Sequence, residues 1–322
     1  MSTVFSGDVG YRGLVKLNNT ILLATGGQIN INHDPIFSSG VWGAGYQNAA
    51  EQVAYANNYL KLEGSFDFEL TSGQGLSAVN AFAFTNRGST SGTAIEILPN
   101  GQHGFKGVGW CSSFGFSASE GAVVTCNAGF SSFIDTSVDN KILTGTSGNS
   151  ANGAAGTDGL PFDANGLFPY WATQVYKGGS KVNDVTAWGC DYSSEVVPLK
   201  CCGVNSTGGI AYADTAGAPL GPDYILIGTM TAQGNYTVFR LQGDFAPEKY
   251  HSSGKMQFEM APSKTPSTPE AHILIPTAIN SSGSTSIQTG SSYITAEFSF
   301  TAIGDGTKPP LSIQTGGVTA GV

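Results

Sequence analysis

Charge is scarce in this chain: Asp, Glu, Lys and Arg make up 11% of its 322 residues, against about a quarter in ordinary globular domains. That profile fits a freely diffusing, highly soluble enzyme poorly. It fits a β-rich protein whose surface is largely covered by neighbours. What charge exists leans acidic, with 14 Lys+Arg against 23 Asp+Glu and a formal net charge of −9. Both halves share the bias, residues 1–140 holding five basic and ten acidic side chains and residues 141–322 nine and thirteen. No basic patch that would grip nucleic acid through its phosphates is present. The five cysteines (Cys111, Cys126, Cys190, Cys201, Cys202) are an odd number without a Cys-x-x-Cys pair; the expectation is buried, reduced thiols in a cytosolic protein. No apolar run approaches about 18 residues. The segment MSTVFSGDVG has no positive stretch ahead of an apolar core, so neither membrane insertion nor secretion is expected. Asn-x-Ser/Thr sequons at Asn18, Asn205, Asn235 and Asn280 then mean only polar loops.

The residue sets that carry chemistry are missing as well. His33, His103, His251 and His272 stand apart from Cys or carboxylate neighbours at ligand spacing, so no metal site is expected. There is no Gly-x-Ser-x-Gly elbow, no phosphate loop with a Lys, and no Gly-x-Gly-x-x-Gly entering a helix. Glu63, Asp67 and Glu69 are the acids nearest to a glycosidase arrangement, yet they recur every second residue on one strand, as any solvated strand face does. Trp42, Tyr46, Trp110, Trp171 and Trp188 invite a sugar-stacking reading, but Trp110 and Trp188 lie within apolar strands and read as core or interface. The expectation is a protein without catalytic residues or cofactors.

What the chain does contain is itself, twice, in residues about 10–134 and 166–303. VTCNAGFSSF (Val124 to Phe133) is answered by ITAEFSFTAI (Ile294 to Ile303), with Thr125 on Thr295 and Phe130 on Phe300. SGTAIEILP (Ser91 to Pro99) is answered by SGKMQFEMAP (Ser253 to Pro262), placing Glu96 on Glu259. NNYLKLEG (Asn57 to Gly64) is answered by PDYILIG (Pro222 to Gly228), and Gly40-Val41 by Gly203-Val204. Two copies are too few for a solenoid and suit two fused, similar domains.

Strand signals dominate each copy. LKLEGSFDFEL sets Leu60, Leu62, Phe66, Phe68 and Leu70 against Lys61, Glu63, Ser65, Asp67 and Glu69, a long strand with one buried face. TILLATGGQININ (20–32), AVVTCNAGF (122–130) and YITAEFSF (293–300) alternate similarly, and Gly-, Asn- and Ser-rich turns separate them. Helix candidates are NAAEQVAYA (48–56), GLSAVNAFAF (75–84) and APEKYHS (246–252). The fold expected is mainly β: two tandem, similar β-sandwich or barrel domains, each with a short flanking α-helix. Their bounds are 1–140 and 166–303, joined by a Gly/Ser/Asn-rich linker at 141–165 and followed by a C-terminal arm at 304–322. Two glycine-flanked loops, 39–58 and 203–223, are long enough to imply a purpose.

An acidic, low-charge, Gly/Ser/Thr-rich β-protein with such loops, a long amphipathic strand, a short helix and a C-terminal arm resembles the major tail tube protein of tailed bacteriophages. It is most similar to the siphophage type with a duplicated tail-tube domain. The resemblance is one of layout across each copy. It implies a structural virion protein that self-assembles into stacked rings, the conduit for genome ejection, located in the virion tail and assembled in the host cytoplasm. LKLEGSFDFEL and GLSAVNAFAF would match the barrel strand and flanking helix, and YILIGTMTA (224–232) the strand of the second copy. Inter-ring contacts would come from Trp42, Tyr46 and Tyr212. The implied partners are further copies of the chain in homotrimeric, pseudo-hexameric rings, the tape measure and tail terminator proteins, and double-stranded DNA that passes without specific binding. No membrane is involved. A lumen that repels DNA suits the polar strand faces carrying Glu63, Asp67, Glu69, Glu96, Glu259 and Glu297. Two other classes stay open: another β-sandwich virion protein, such as a capsid decoration or tail terminator, and a carbohydrate-binding module.

Overall fold

The computed structural model describes residues 14–32, 36–37, 54–55, 60–89, 92–98, 104–134, 141–143, 166–199, 224–241, 253–287 and 293–316. It is mainly β, as the period-two pattern requires. In the first half β1 (Leu14–Leu17) turns through Asn18 and Asn19, both at positive φ, into β2 (Thr20–Asn32). This is the two-residue turn whose twist matches the flanking strands. A short hairpin of β3 (Ile36–Phe37) and β4 (Ala54–Tyr55) precedes β5 (Leu60–Glu69). Helix α1 (Gln74–Asn80), prolonged by a π-helical turn at Ala81–Thr85, leads to β6 (Thr93–Leu98), β7 (Gly104–Ser119), β8 (Thr125–Ile134) and β9 (Lys141–Leu143). Strands β7-β6-β1-β2-β5-β8 pair in that order, and β8 returns to β7, closing a six-stranded barrel. Inward residues of its strands, Leu17, Leu62, Phe66, Phe105 and Phe130, are fully buried, each worth about 1.5–3 kcal/mol of transfer free energy.

The second half holds β10 (Thr173–Lys177), β11 (Ser180–Val182), β12 (Val185–Ser193), a hairpin of β13 (Val196–Leu199) and β14 (Tyr224–Ile227), then β15 (Thr231–Leu241), β16 (Ser253–Met260), β17 (Ala271–Ile287), β18 (Tyr293–Ile303) and β19 (Ser312–Thr315). Its pairings run β10-β16-β17-β18-β15-β12, and β12 leads back to β10 through β11. The order is that of the first half, with β11 and β12 together in the place of β2.

The irregularities recur too. The Asn18-Asn19 turn is matched by Gly178-Gly179, again at positive φ. A bulge between Ala24 and Gly26, opposite Phe68 and Asp67, is matched by one between Val185 and Ala187, opposite Val238 and Thr237. The bulge between Cys111 and Ser113, beside Phe130, is matched by one between Asn280 and Ser282, beside Phe300. Gly64 lies opposite Phe130 and Gly234 opposite Phe300. In both places the ring fills the space that a Cβ in place of the glycine hydrogen would need.

Several expectations are corrected by these pairings. Tyr224–Ile227 is not the counterpart of β5: among the described residues it pairs with β13 alone, and its Tyr224 and Leu226 are exposed. The counterpart is β15, whose inward positions include Ala232 and Gly234, so its hydrophobic contrast is weak. Glu96 does not align with Glu259. Lys16 faces Glu96, while its equivalent Tyr176 faces Gln257, two residues earlier. Within 48–56, Ala54–Tyr55 is strand and the rest lies outside the described residues, as do APEKYHS, the loop 203–223 and linker residues 144–165. The linker begins with a strand, β9, paired to β7. Part of the C-terminal arm is built into the fold: β19 pairs with β17, and Leu311 and Ile313 are buried.

A polar sheet face as the candidate functional site

The two halves are not beads on a linker. Strand β7 pairs antiparallel with β12 over seven residue pairs, from Ser113 with Ser193 to Ser119 with Ala187. One uninterrupted sheet results, in the order β2-β5-β8-β7-β12-β15-β18-β17, four strands from each half. Because residues opposite one another in a ladder share a face, the register fixes what each face carries. The inner face presents Phe66, Phe68, Phe114, Phe116, Trp188, Cys190, Tyr192, Tyr236, Phe298 and Phe300 to the buried interior. The other face is mostly Ser, Thr, Asn, Gln, Gly and carboxylate, with Lys61 and Phe133 toward one end and Phe239 on β15.

Hydrogen bonds run across this face from strand to strand. Asn127 Nδ2 donates to Asp67 Oδ1 at 2.6 Å, and Asn235 Nδ2 donates to Glu297 Oε1 at 2.9 Å. Ser117 and Thr125 hydroxyls meet at 2.8 Å. Gln233 Nε2 donates to Asp191 Oδ2 at 3.4 Å. Partial burial pushes the Asp191 carboxyl above its ordinary range, an effect that Gln233 opposes. Lys61 pairs with Glu63 at 2.6 Å. Among the described residues of this face, Lys61 is the one cation against Glu63, Asp67, Glu69, Asp191 and Glu297. An open trough of about 660 Å³ lies on it, between Glu63, Ser65, Ser113 and Ser131 and the base of the β13 hairpin at Ser194–Val197.

The seam between the halves is sealed from behind. The Tyr192 hydroxyl donates to the Ala83 carbonyl, and Phe84 of the π-helical turn stands edge-on to Tyr192 at 5.6 Å. Arg87 lies over the Tyr192 ring at 5.7 Å and donates to Ser194 Oγ and, at 2.8 Å, to the Gly228 carbonyl. It thus ties both ends of the β13–β14 hairpin to the first half. At the other end of α1, Gly73 N donates to Glu270 Oε1 at 2.7 Å.

Of the acids singled out in the sequence, the structure brings Glu63, Asp67, Glu69 and Glu297 onto one face. Two depart from it. Glu96 sits on β6, behind the sheet, ion-paired with Lys16 at 3.6 Å. Glu259 is buried on β16, accepting from Gln257 Nε2 at 2.8 Å and lying 3.6 Å from His272 Nδ1. Burial pushes the His272 imidazole down, and Glu259 opposes that only in part. Alternation alone groups all six, because it cannot say which side of a closed barrel a strand occupies. Asp191 went unnoticed, although Trp188, Cys190 and Tyr192 alternate around it. Trp42, Tyr46 and Tyr212 lie outside the described residues. Cys111, Cys126 and Cys190 are free and buried, with burial raising each thiol, Cys111 to about 12. No group of three or more His, Cys, Asp or Glu among the described residues is arranged to hold a metal, and no described helix is long and apolar enough to cross a membrane.

No family model and no curated protein matches the chain. Solved structures do resemble it. One is the sheath/tube terminator of an extracellular contractile injection system, PVC, in the extended state. It is 12% identical with a TM-score of 0.32, over 46% of this chain and 96% of that one. Another is the anti-feeding prophage cap, the AFP tube terminating cap, 11% identical with a TM-score of 0.33, over 49% of this chain and 94% of that one. Likeness at these TM-scores assigns no function to this chain.

Proposed function

We propose that this protein is a structural, ring-forming component of a phage-tail-like tube, in which the eight-stranded sheet is the wall of the conduit and its polar face the lining. The observation that carries the reading is that sheet: two halves with the same strand order joined edge to edge, dry on one face and polar and acidic on the other. A barrel wall needs this arrangement, with one face packed and the other wet. DNA carries one negative charge per about 1.7 Å, and cationic contacts would hold it by counterion release. Glu63, Asp67, Glu69, Asp191 and Glu297 repel it, so it can slide. The two halves are read as two tail-tube-like domains, three chains supplying six equivalent positions in a closed ring. Tape measure and terminator proteins would be the partners, and the virion tail the location.

Electron microscopy and native mass spectrometry of the full chain test this directly. Stacked rings with an open channel are expected, built from three chains each. Discs that do not stack would favour a terminator or cap, and single particles at all concentrations would end the ring reading.

A further inference from the structure

We propose that the short helical turn Tyr170–Ala172 carries a carbohydrate site, in which the Trp171 indole is the stacking platform for a neutral oligosaccharide of three or more units. The site does not depend on the ring reading. The structure sorts the tryptophans that the sequence left open. Trp110 and Trp188 are buried, and their indole N–H groups donate to the Ser89 carbonyl at 2.8 Å and to Thr173 Oγ1 at 3.0 Å. Trp171 is 66% exposed, and no large apolar side chain among the described residues is more so.

The exposed ring stands on a fastened base. Tyr170 N donates to the Ala122 carbonyl at 3.0 Å, and the Tyr170 hydroxyl donates to the Val185 carbonyl. Ala172 N donates to the Pro169 carbonyl at 3.0 Å, and the Ala172 carbonyl accepts from Ala261 N at 3.1 Å. Thr173 Oγ1 donates to the Tyr170 carbonyl at 2.8 Å. Both neighbours of Trp171 are thus tied down, one of them to each half of the chain, so a ligand that lies on the indole does not have to order the turn that presents it.

Two open troughs meet at the ring. One, of about 500 Å³, runs past Thr173, Gln174, Lys181 and Asn183, and the other, of about 720 Å³, past Glu120 and Thr186. Tyr170, Trp171, Asp184 and Val185 line both. This lining selects the ligand class. Thr173, Gln174, Asn183 and Thr186 offer hydroxyl and amide groups. Charge of both signs is present, Lys181 in one trough, Glu120 in the other and Asp184 in both, so neither an anion nor a cation is singled out. A pyranose fits such a site: its C–H face lies on the electron-rich face of an indole, while its hydroxyls, each donor and acceptor, bond to amide, hydroxyl and carboxylate groups around the ring. One unit on the indole and one in each trough make three.

Isothermal titration calorimetry of the full chain tests this with maltotriose, cellotriose, mannotriose and triacetylchitotriose, each beside its monosaccharide. One or more of the trisaccharides should bind with a Kd of about 1 mM or tighter, and about tenfold or more tighter than its monosaccharide. Trp171→Ala should weaken that binding by about tenfold or more with an unchanged thermal midpoint, because the ring is exposed. Trp171→Tyr, which keeps a stacking face, should restore most of it. Asp184→Asn, tolerated at its φ of 57°, should also weaken binding, by loss of a charged acceptor. Binding by none of the four trisaccharides, or binding that survives Trp171→Ala, overturns the site. A Trp171→Ala protein whose sole defect is weaker self-association makes the turn a contact between copies and overturns the site equally.

Discussion

Gly64 and Gly234 offer a sharp test, because the same physical constraint occurs at both and its severity differs. A methyl group on Gly64 would stand 2.6 Å from Phe130 Cζ and 2.9 Å from the Gln28 carbonyl oxygen. On Gly234 it would stand 2.5 Å from the Gly189 carbonyl oxygen and 3.0 Å from Phe300 Cε2. Overpacking of this kind costs about 1–3 kcal/mol, offset by about 0.4–1 kcal/mol from the stiffer unfolded chain. Gly64→Ala should therefore lose about 1–2 kcal/mol, and Gly234→Ala somewhat more, because the Gly189 carbonyl, backbone fixed in the β12–β15 ladder, stands closer to the new methyl than the Gln28 carbonyl does at Gly64. Denaturant titration with an unchanged slope measures the loss. Gly88→Ala, with nothing within 4 Å of its methyl, is the control and should be nearly neutral. Adding Phe130→Leu should relieve Gly64→Ala in a double-mutant cycle, and Phe300→Leu should relieve Gly234→Ala less. If Gly64→Ala is neutral, or Phe300→Leu is the better rescuer, the paired-glycine reasoning is wrong.

Two further perturbations address the wall and the buried histidine. Glu63→Lys, Asp67→Lys and Glu69→Lys together should permit assembly but retain DNA in a salt-dependent way, each added phosphate contact steepening the salt dependence by about one unit; passage unaffected at low salt refutes the lining. His272, with its pKa depressed by burial in spite of the neighbouring Glu259, is charged more readily in the unfolded chain, whose imidazole titrates at about 6.5. Stability should fall as pH drops through that value. His272→Gln should flatten the decline between about pH 7 and 5, and equal slopes in the two proteins would dismiss the histidine.

What the sequence disclosed depended on contrast between faces. β5 was legible because Leu62, Phe66 and Phe68 alternate with Glu63, Ser65, Asp67 and Glu69, and α1 because Leu76, Val79 and Phe82 recur at helical spacing. β15 was not, since Ala232 and Gly234 occupy inward positions where the neighbouring Phe300 fills the space. The match of Thr125 to Thr295 proved to lie in true register, both facing serines across β7 and β17. The Glu96 match slipped by two, an error that preserves the face and so leaves no trace in a hydrophobic pattern. The joining of the halves through β7 and β12 was hidden altogether. Both strands are polar on the outer face whether they pair with each other or with solvent, so nothing in their composition distinguishes an edge from a seam.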